Sequence, residues 1–313
     1  MIRFAPAGIM PTMQKHIIRL LAILAVVTIA HPFEHIAPAA LAQDTAAKAA
    51  AVFADARKAL GGEEKLRSVK ALQAAGGFRR SMGEMQIEGD LEVLVEPPDK
   101  LRRNEEMILP MGTMVRSEVL NGDEVWEDSS QHGGMAHGGG MMIRMGPGGA
   151  NADPERMKEM LRRMRKTELA RFSLAWLLLT DAHVSHAGIA EAPDGKADVL
   201  EIKPAEGPAM RLFVDQQTHL PLMLAWKGPQ PRVMVRRGGP GSAPNPEQLA
   251  REAEAEGPPP EANFEMRFAD YRKVDGIQFP HEIVRAVNGT VNEEWTVKSY
   301  KVNPSFKANT FSK

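Results

Sequence analysis

Hydrophobic and polar positions alternate most regularly near the C-terminus. Phe264, Met266 and Phe268 are interleaved with Glu265 and Arg267, and Trp295 and Val297 with Glu294, Thr296 and Lys298. A period of two belongs to a strand with one buried and one wet face. Asp275-Gly276 and Asn288-Gly289 fall between these segments, where two-residue hairpin turns need positive φ. The pattern predicts a three-strand antiparallel meander. The same texture predicts strands over 70–80, 85–95, 100–109, 114–120 and 124–128, with Pro97-Pro98-Asp99 and Asn121-Gly122-Asp123 as turns, and again over 187–191, 197–203, 210–215 and 222–227. Strands joined by short turns pair antiparallel, so the first five predict one broad twisted sheet, with the meander as its second edge.

Helical spacing occurs twice. Ala49, Val52, Phe53, Ala56, Ala59 and Leu60 predict a helix over 45–66 lying on the sheet, with Gly61-Gly62 as a stop. Asp153-Pro154-Glu155 predicts a helix start, and the pattern runs to about residue 179. In its first half Met157, Met160, Leu161 and Met164 form one stripe among Arg156, Lys158, Arg162, Arg163, Arg165 and Lys166; residues 172–179 are apolar nearly all round. The Met stripe has three readings: a lid over an opening in the sheet, where flexible thioethers adapt to varied partners, a membrane-surface helix, or a solvated basic face over ordinary core. Two stretches interrupt the pattern. Residues 131–150 are rich in Gly, Met and His, and residues 230–262 in Pro, Gly, Ala and Glu, so both are expected as flexible insertions. Removing the second leaves the strand at Leu222 facing the strand at Phe264.

The N-terminus alters what counts as the folded protein. Lys15, His16 and Arg19 precede an apolar run from Leu20 to Ala30, and Ala40-Leu41-Ala42 has the small-x-small form of a signal-peptidase site. This predicts a leader over 1–42, cleaved near Ala42, an exported protein in the periplasm, and one domain over 43–313. The chain has no cysteine, so neither disulfides nor a lipid-accepting Cys are available, and a soluble monomer is expected. A formal net charge of −1 supplies no general attraction to nucleic acid.

Four segments together resemble a known family: Ala59-Leu60-Gly61-Gly62-Glu63-Glu64-Lys65-Leu66; Gly195-Lys196-Ala197-Asp198-Val199-Leu200-Glu201-Ile202; Arg211-Leu212-Phe213-Val214-Asp215 through Thr218-His219-Leu220-Pro221-Leu222; and Tyr271-Arg272-Lys273-Val274-Asp275-Gly276-Ile277-Gln278-Phe279-Pro280-His281. In this order they look like the outer-membrane lipoprotein-sorting superfamily, of which LolA and LolB are carriers. The resemblance covers most of the chain outside the leader and the two insertions. It implies an α+β fold: a curved antiparallel sheet, an open half-barrel, with helices covering its concave face and a cavity that shelters lipoprotein acyl chains. Expected lining residues, each on an apolar strand face, are Phe78, Leu91, Val93, Trp126, Leu212, Trp226, Phe268 and Trp295. The same face could be filled by its own side chains, which would make the protein an interaction module with a solid core.

A further candidate chemistry lies in His132, Met135, His137, Met141, Met142 and Met145, since thioether and imidazole ligands on a flexible backbone suit soft copper. No G-x-S-x-G elbow, H-E-x-x-H pair or phosphate-cradling loop occurs, so neither an enzymatic activity nor a cofactor is expected. His183 and His186 are expected together at a helix-to-strand junction without a nearby acid. The expected function is therefore a non-enzymatic periplasmic carrier or binder of lipoprotein acyl chains or another lipid-like ligand, touching the membrane surface only transiently. An envelope copper-binding protein and the solid-core interaction module remain the alternatives.

Overall fold

The structure, a computed structural model, describes residues 39–83, 85–109, 112–132, 143–145, 154–193, 195–205, 207–230, 233–235 and 260–312. Helices α1 (Ala39–Leu60) and α2 (Glu63–Ser68) precede strands β1 (Leu72–Met82), β2 (Met85–Glu96), β3 (Lys100–Leu109), β4 (Gly112–Asn121), β5 (Glu124–His132) and β6 (Ile143–Met145). Helix α3 (Pro154–Leu177) is followed by β7 (His183–Ala192), β8 (Gly195–Lys203), β9 (Met210–Asp215), β10 (Pro221–Pro229) and β11 (Val233–Val235), and then β12 (Glu261–Val274), β13 (Ile277–Val287) and β14 (Thr290–Val302). Twelve strands form one open antiparallel sheet in the order β5-β4-β3-β2-β1-β14-β13-β12-β10-β9-β8-β7, and β6 pairs with β11 separately.

The meander forms with the turns its dipeptides require. Asp275 and Gly276 have φ of 48° and 82°, Asn288 and Gly289 of 50° and 79°, the positive values of a type I′ turn. Its place in the sheet differs from the expectation. β14 pairs with β1 from Leu72↔Val302 to Arg80↔Glu293, so the meander is a central seam and the edges are β5 and β7. Turn chemistry fixes how neighbours in sequence pair, but it carries no information on which distant strand completes a sheet. β10 does face β12 across the second insertion, with Leu224 opposite Met266 and Trp226 opposite Phe264.

One face of the sheet is covered by helices, and strand parity assigns side chains to it: Leu72, Ala74, Phe78 and Arg80 on β1, Val93 and Leu91 on β2, Leu101, Arg103 and Glu105 on β3, Trp295 and Glu293 on β14. β3 and β14 stand three strand spacings apart, about 14 Å in a flat sheet, and the long side chains of Arg103 and Glu293 bridge them at 3.1 Å across the inner face. Glycines permit close strand approach here. A Cβ on Gly76, at the register shift in β1, would strike the Thr296 carbonyl, and one on Gly89 would strike the Glu106 carbonyl and the ring of its cross-strand partner Phe78.

α1 buries Ala49, Phe53, Ala56 and Leu60 and packs on β7 and β13. The single helix predicted over 45–66 is split, because the chain turns at Gly61 (φ 141°) and Gly62 (φ 100°) before α2 inserts Leu66 into the core. α3 crosses the sheet, touching β3, β4 and β5 at one side and β10 at the other. No described helix is long and apolar enough to cross a membrane.

Candidate functional site

Six of the expected lining residues, Phe78, Leu91, Val93, Leu212, Phe268 and Trp295, lie on the inner face, each at most 5 % exposed, within one cluster that also holds Phe53 of α1 and Leu169, Phe172 and Trp176 of α3. The helices fill this face with side chains. Trp226 is half-buried at the margin of that cluster and stacks on Phe264, ring centroids 5.7 Å apart. Trp126 takes the opposite face: its cross-strand partner is Val119, and with Leu94, Phe306 and Phe311 they form a separate small cluster under the C-terminal tail. The alternation of β5 alone left open which face met the helices. A depression of about 430 Å³ also lies on this outer face, lined by Asp90, Glu92, Asn104, Glu106 and Lys298 among others.

On α3 the residues directed into the sheet are Arg165, Leu169, Phe172 and Trp176, all at most 6 % exposed. Of the Met stripe, Met157, Met160 and Leu161 are half-buried and Met164 is exposed, and none joins the core cluster. Several basic residues of the helix pair at the surface with carboxylates of the β4–β5 turn. Lys158 pairs with Glu124 at 3.0 Å, and Arg162 and Lys166 pair with Asp123 at 3.2 and 2.8 Å. Of the copper candidates, Met135, His137, Met141 and Met142 lie outside the described residues, and His132 and Met145 contribute only described backbone, in β5 and β6. No group of three or more potential metal ligands from His, Asp and Glu is present among the described residues. His183 and His186 both lie within β7, which starts earlier than predicted, and His186 Nε2 stands 2.7 Å from Asp198, an acid the sequence reading did not place beside it.

The inner face also carries a feature the apolar pattern did not predict. Between the sheet and the middle of α3, Arg80, Arg103, Arg116, Arg165, Arg171 and Arg285 interleave with Glu105, Glu118, Glu127, Glu168 and Glu293. Cross-strand register builds much of this: Arg103 is opposite Glu118, Glu105 opposite Arg116, Arg80 opposite Glu293, and Arg285 opposite Glu293. Arg80 grips Glu105 with two bonds, 2.6 and 3.1 Å, and donates to Glu293 at 2.8 Å. Arg103 donates to Glu168 and to Glu293, each at 3.1 Å, and also contacts Glu105. Arg165 brings α3 onto the pair Glu118 and Glu127 at 2.7 and 2.6 Å, between two carboxylates that would otherwise repel across β4 and β5. Trp295 donates its indole N–H to Glu293.

Each charge is held in place by the others. Burial alone would favour neutral Glu168, but Arg103, then Arg165, Arg285 and Arg171, outweigh it and bring its carboxyl down to about 2. Burial likewise opposes ionisation of Glu293, and Arg103, Arg285 and Arg80 hold it well below the usual carboxylate range. Burial also works against charged Arg80, which Glu293 and Glu105 over-compensate. Removing one member of such a network strands the rest in a poor solvent for charge.

Farther along α3 the contacts become aromatic. Phe172 stacks on Trp176 at 4.6 Å and approaches Trp295 at 5.9 Å; Trp176 meets Tyr300 edge-on at 6.0 Å. The C-terminal end is tied down by Arg57 of α1, whose Nε and Nη2 both donate to the Leu178 carbonyl, at 3.3 and 3.1 Å. This is a favourable place for a cation, because helix C-terminal carbonyls lack intrahelical donors. α3 is thus a bar over the inner face, fastened by ion pairs at one end and by rings plus one capped carbonyl at the other.

The site so described is the face of an open antiparallel sheet closed by a helix. No family model matches the chain, and no curated protein matches it. Among solved structures, it is similar to a LolA superfamily protein from Nitrosomonas europaea (11 % identity, covering 85 % of this chain and 97 % of that one, TM-score 0.47) and to an outer membrane lipoprotein-sorting protein domain from Vibrio parahaemolyticus (10 %, 85 % and 97 %, TM-score 0.41). A DUF1329 family protein from Desulfovibrio piger is similar at 10 % identity over 84 % of this chain and 96 % of that one, TM-score 0.44. At these values the likeness concerns the outline of the fold and carries no statement of ligand or activity.

Proposed function

We propose that this protein is a non-enzymatic carrier or binder of acyl-chain ligands, such as lipoproteins or other lipid-like molecules, exported to the periplasm and acting as a single half-barrel domain. The inner face of the sheet is the ligand surface and α3 is the element that moves. One observation carries the reading: the apolar inner face is closed by a helix whose N-terminal half is held by ion pairs, which exchange for water at far lower cost than an apolar seam when they reach the surface. Displacing that half would open Phe78, Leu91, Val93 and Trp295 to a ligand, and burial of its chain would return about 0.8 kcal/mol per CH2. The burial of Phe78, Leu91, Val93 and Trp295 under the helices also supports a second reading, an interaction module with a solid core.

Native mass spectrometry of the protein isolated from its own cell envelope separates the two. A bound mass that resolves, after solvent extraction, into acyl-chain species is the expected result. Protein that carries nothing, and does not take up a fluorescent fatty acid in solution, overturns the carrier.

A further inference from the structure

Among the described residues the six arginines of the network face five glutamates, and Arg171, directed from α3 toward Trp226 of β10, is the one left over. Arg171 makes no hydrogen bond and no ion pair among the described residues; its guanidinium lies over the Trp226 ring, 3.9 Å from the centroid, and its Nε is shielded from solvent without an acceptor. Arg285 is in a similar state. It lies over Trp295 at 4.6 Å and near Phe172 at 5.9 Å, its Nε also lacks an acceptor, and its one carboxylate contact is Glu168 at 3.6 Å. Glu168 already accepts from Arg103 at 3.1 Å and Arg165 at 3.3 Å, so it has little left for a third and fourth guanidinium. Burial pushes the Arg171 guanidinium down to about 10, with Glu168 opposing and Arg285 adding to the effect, the mark of a cation short of anions.

A guanidinium whose Nε is shielded from water without an acceptor is costly to keep. Arg171, one helical turn from Glu168, and Arg285, 3.6 Å from the same carboxylate, each lie over an indole, and guanidinium N–H groups match planar or tetrahedral oxyanions in pairs. Trp226, half-buried at the margin, leaves the place within reach from outside. We propose that Arg171 and Arg285, backed by Trp226 and Trp295, bind the oxyanion head of an acyl-chain ligand, a carboxylate or a phosphate, while the chain enters the inner face beneath α3. The inference rests on the carrier reading and adds the ligand's charge to it.

The test compares cis-parinaric acid with its uncharged methyl ester, followed by the fluorescence of the probe on the full exported chain. Lysophosphatidate and monoacylglycerol serve as competing ligands for the phosphate arm. The expected result is that the acid binds at least about tenfold more tightly than the ester, and that Arg171→Met brings the ratio of acid to ester affinity close to one. Whichever of fatty acid or lysophosphatidate exceeds its neutral counterpart by more identifies the source of the oxyanion. Equal affinity of wild-type protein for acid and ester overturns the head-group site and leaves the carrier standing, whereas no binding of either probe overturns both. A preference that survives in Arg171→Met overturns the assignment to this arginine. Should that variant fail to fold, the wild-type comparison decides alone.

Discussion

α1 and α3 cover the same face of the same sheet by different means. α1 presents Ala49, Phe53, Ala56 and Leu60, small or apolar side chains, and meets a charge of the sheet through Lys48, half exposed and 3.6 Å from Asp198. α3 presents Arg165 and Glu168 at its charged end and Phe172 and Trp176 at its apolar end. An apolar seam responds to volume and hardly to pH or salt. A buried ionic seam needs every partner, and responds to protonation. The contrast makes α1 a fixed wall and α3 an element whose attachment can be weakened without unfolding the sheet.

The largest expected effect breaks the ionic seam from within. Glu293→Ala leaves Arg80, Arg103 and Arg285 around an empty place and should cost about 3–5 kcal/mol in urea unfolding, with Glu168→Ala in the same range. Next comes the apolar wall. Phe53→Ala should cost about 3 kcal/mol, and should do so equally at pH 7 and pH 5, which separates the two kinds of attachment directly.

Acid sharpens the comparison further. The carboxyls of Glu168 and Glu293 are depressed in the folded protein, so the stability they contribute is complete above the unfolded value of about 4.3 and is lost as pH falls toward about 2, the folded value of Glu168. Hydrogen exchange between pH 4.5 and 2.5 should therefore release the N-terminal half of α3 before α1, and simultaneous release would contradict the contrast. The smallest effects belong to the exposed pairs. Lys158→Ala and Lys166→Ala should barely move the unfolding midpoint, since exposed ion pairs are screened by water and salt, but should speed uptake of an acyl probe if α3 opens from that end.

Strand parity, turns and helix stops were legible because each has a local cause: a period of two, a dipeptide tolerant of positive φ, or a pair of glycines. The inner-face assignment of Phe78, Leu91, Val93, Leu212, Phe268 and Trp295 followed from the same alternation. Trp126 did not, because Val125 and Trp126 are both apolar and β5 offers no preference between its faces. The ionic network was missed for a related reason. Around Arg102-Arg103-Asn104-Glu105-Glu106, polar residues occupy both parities, which reads as a wet strand. A signal was nevertheless present: Arg103 and Glu105 on β3, and Arg116 and Glu118 on β4, are spaced two apart with opposite signs, and antiparallel pairing of β3 with β4 sets each beside its opposite.

The sequence by itself thus determined most strands of the large sheet, how neighbours in the chain pair, and the helix start at Asp153-Pro154, because those depend on contacts within a few residues; it did not foresee β6, β11 or the split between α1 and α2. Only the tertiary structure decided that β14 joins β1 to make the meander the centre of the sheet. It also decided that α3 turns Arg165, in place of its methionines, toward the interior, and that Arg285 shares Glu168 with Arg103 and Arg165 while Arg171 finds no carboxylate among the described residues. Those outcomes rest on charges brought together from β1, β3, β4, β5, β13, β14 and α3, and the energy of a charge depends on what surrounds it after burial, which no local stretch of sequence contains.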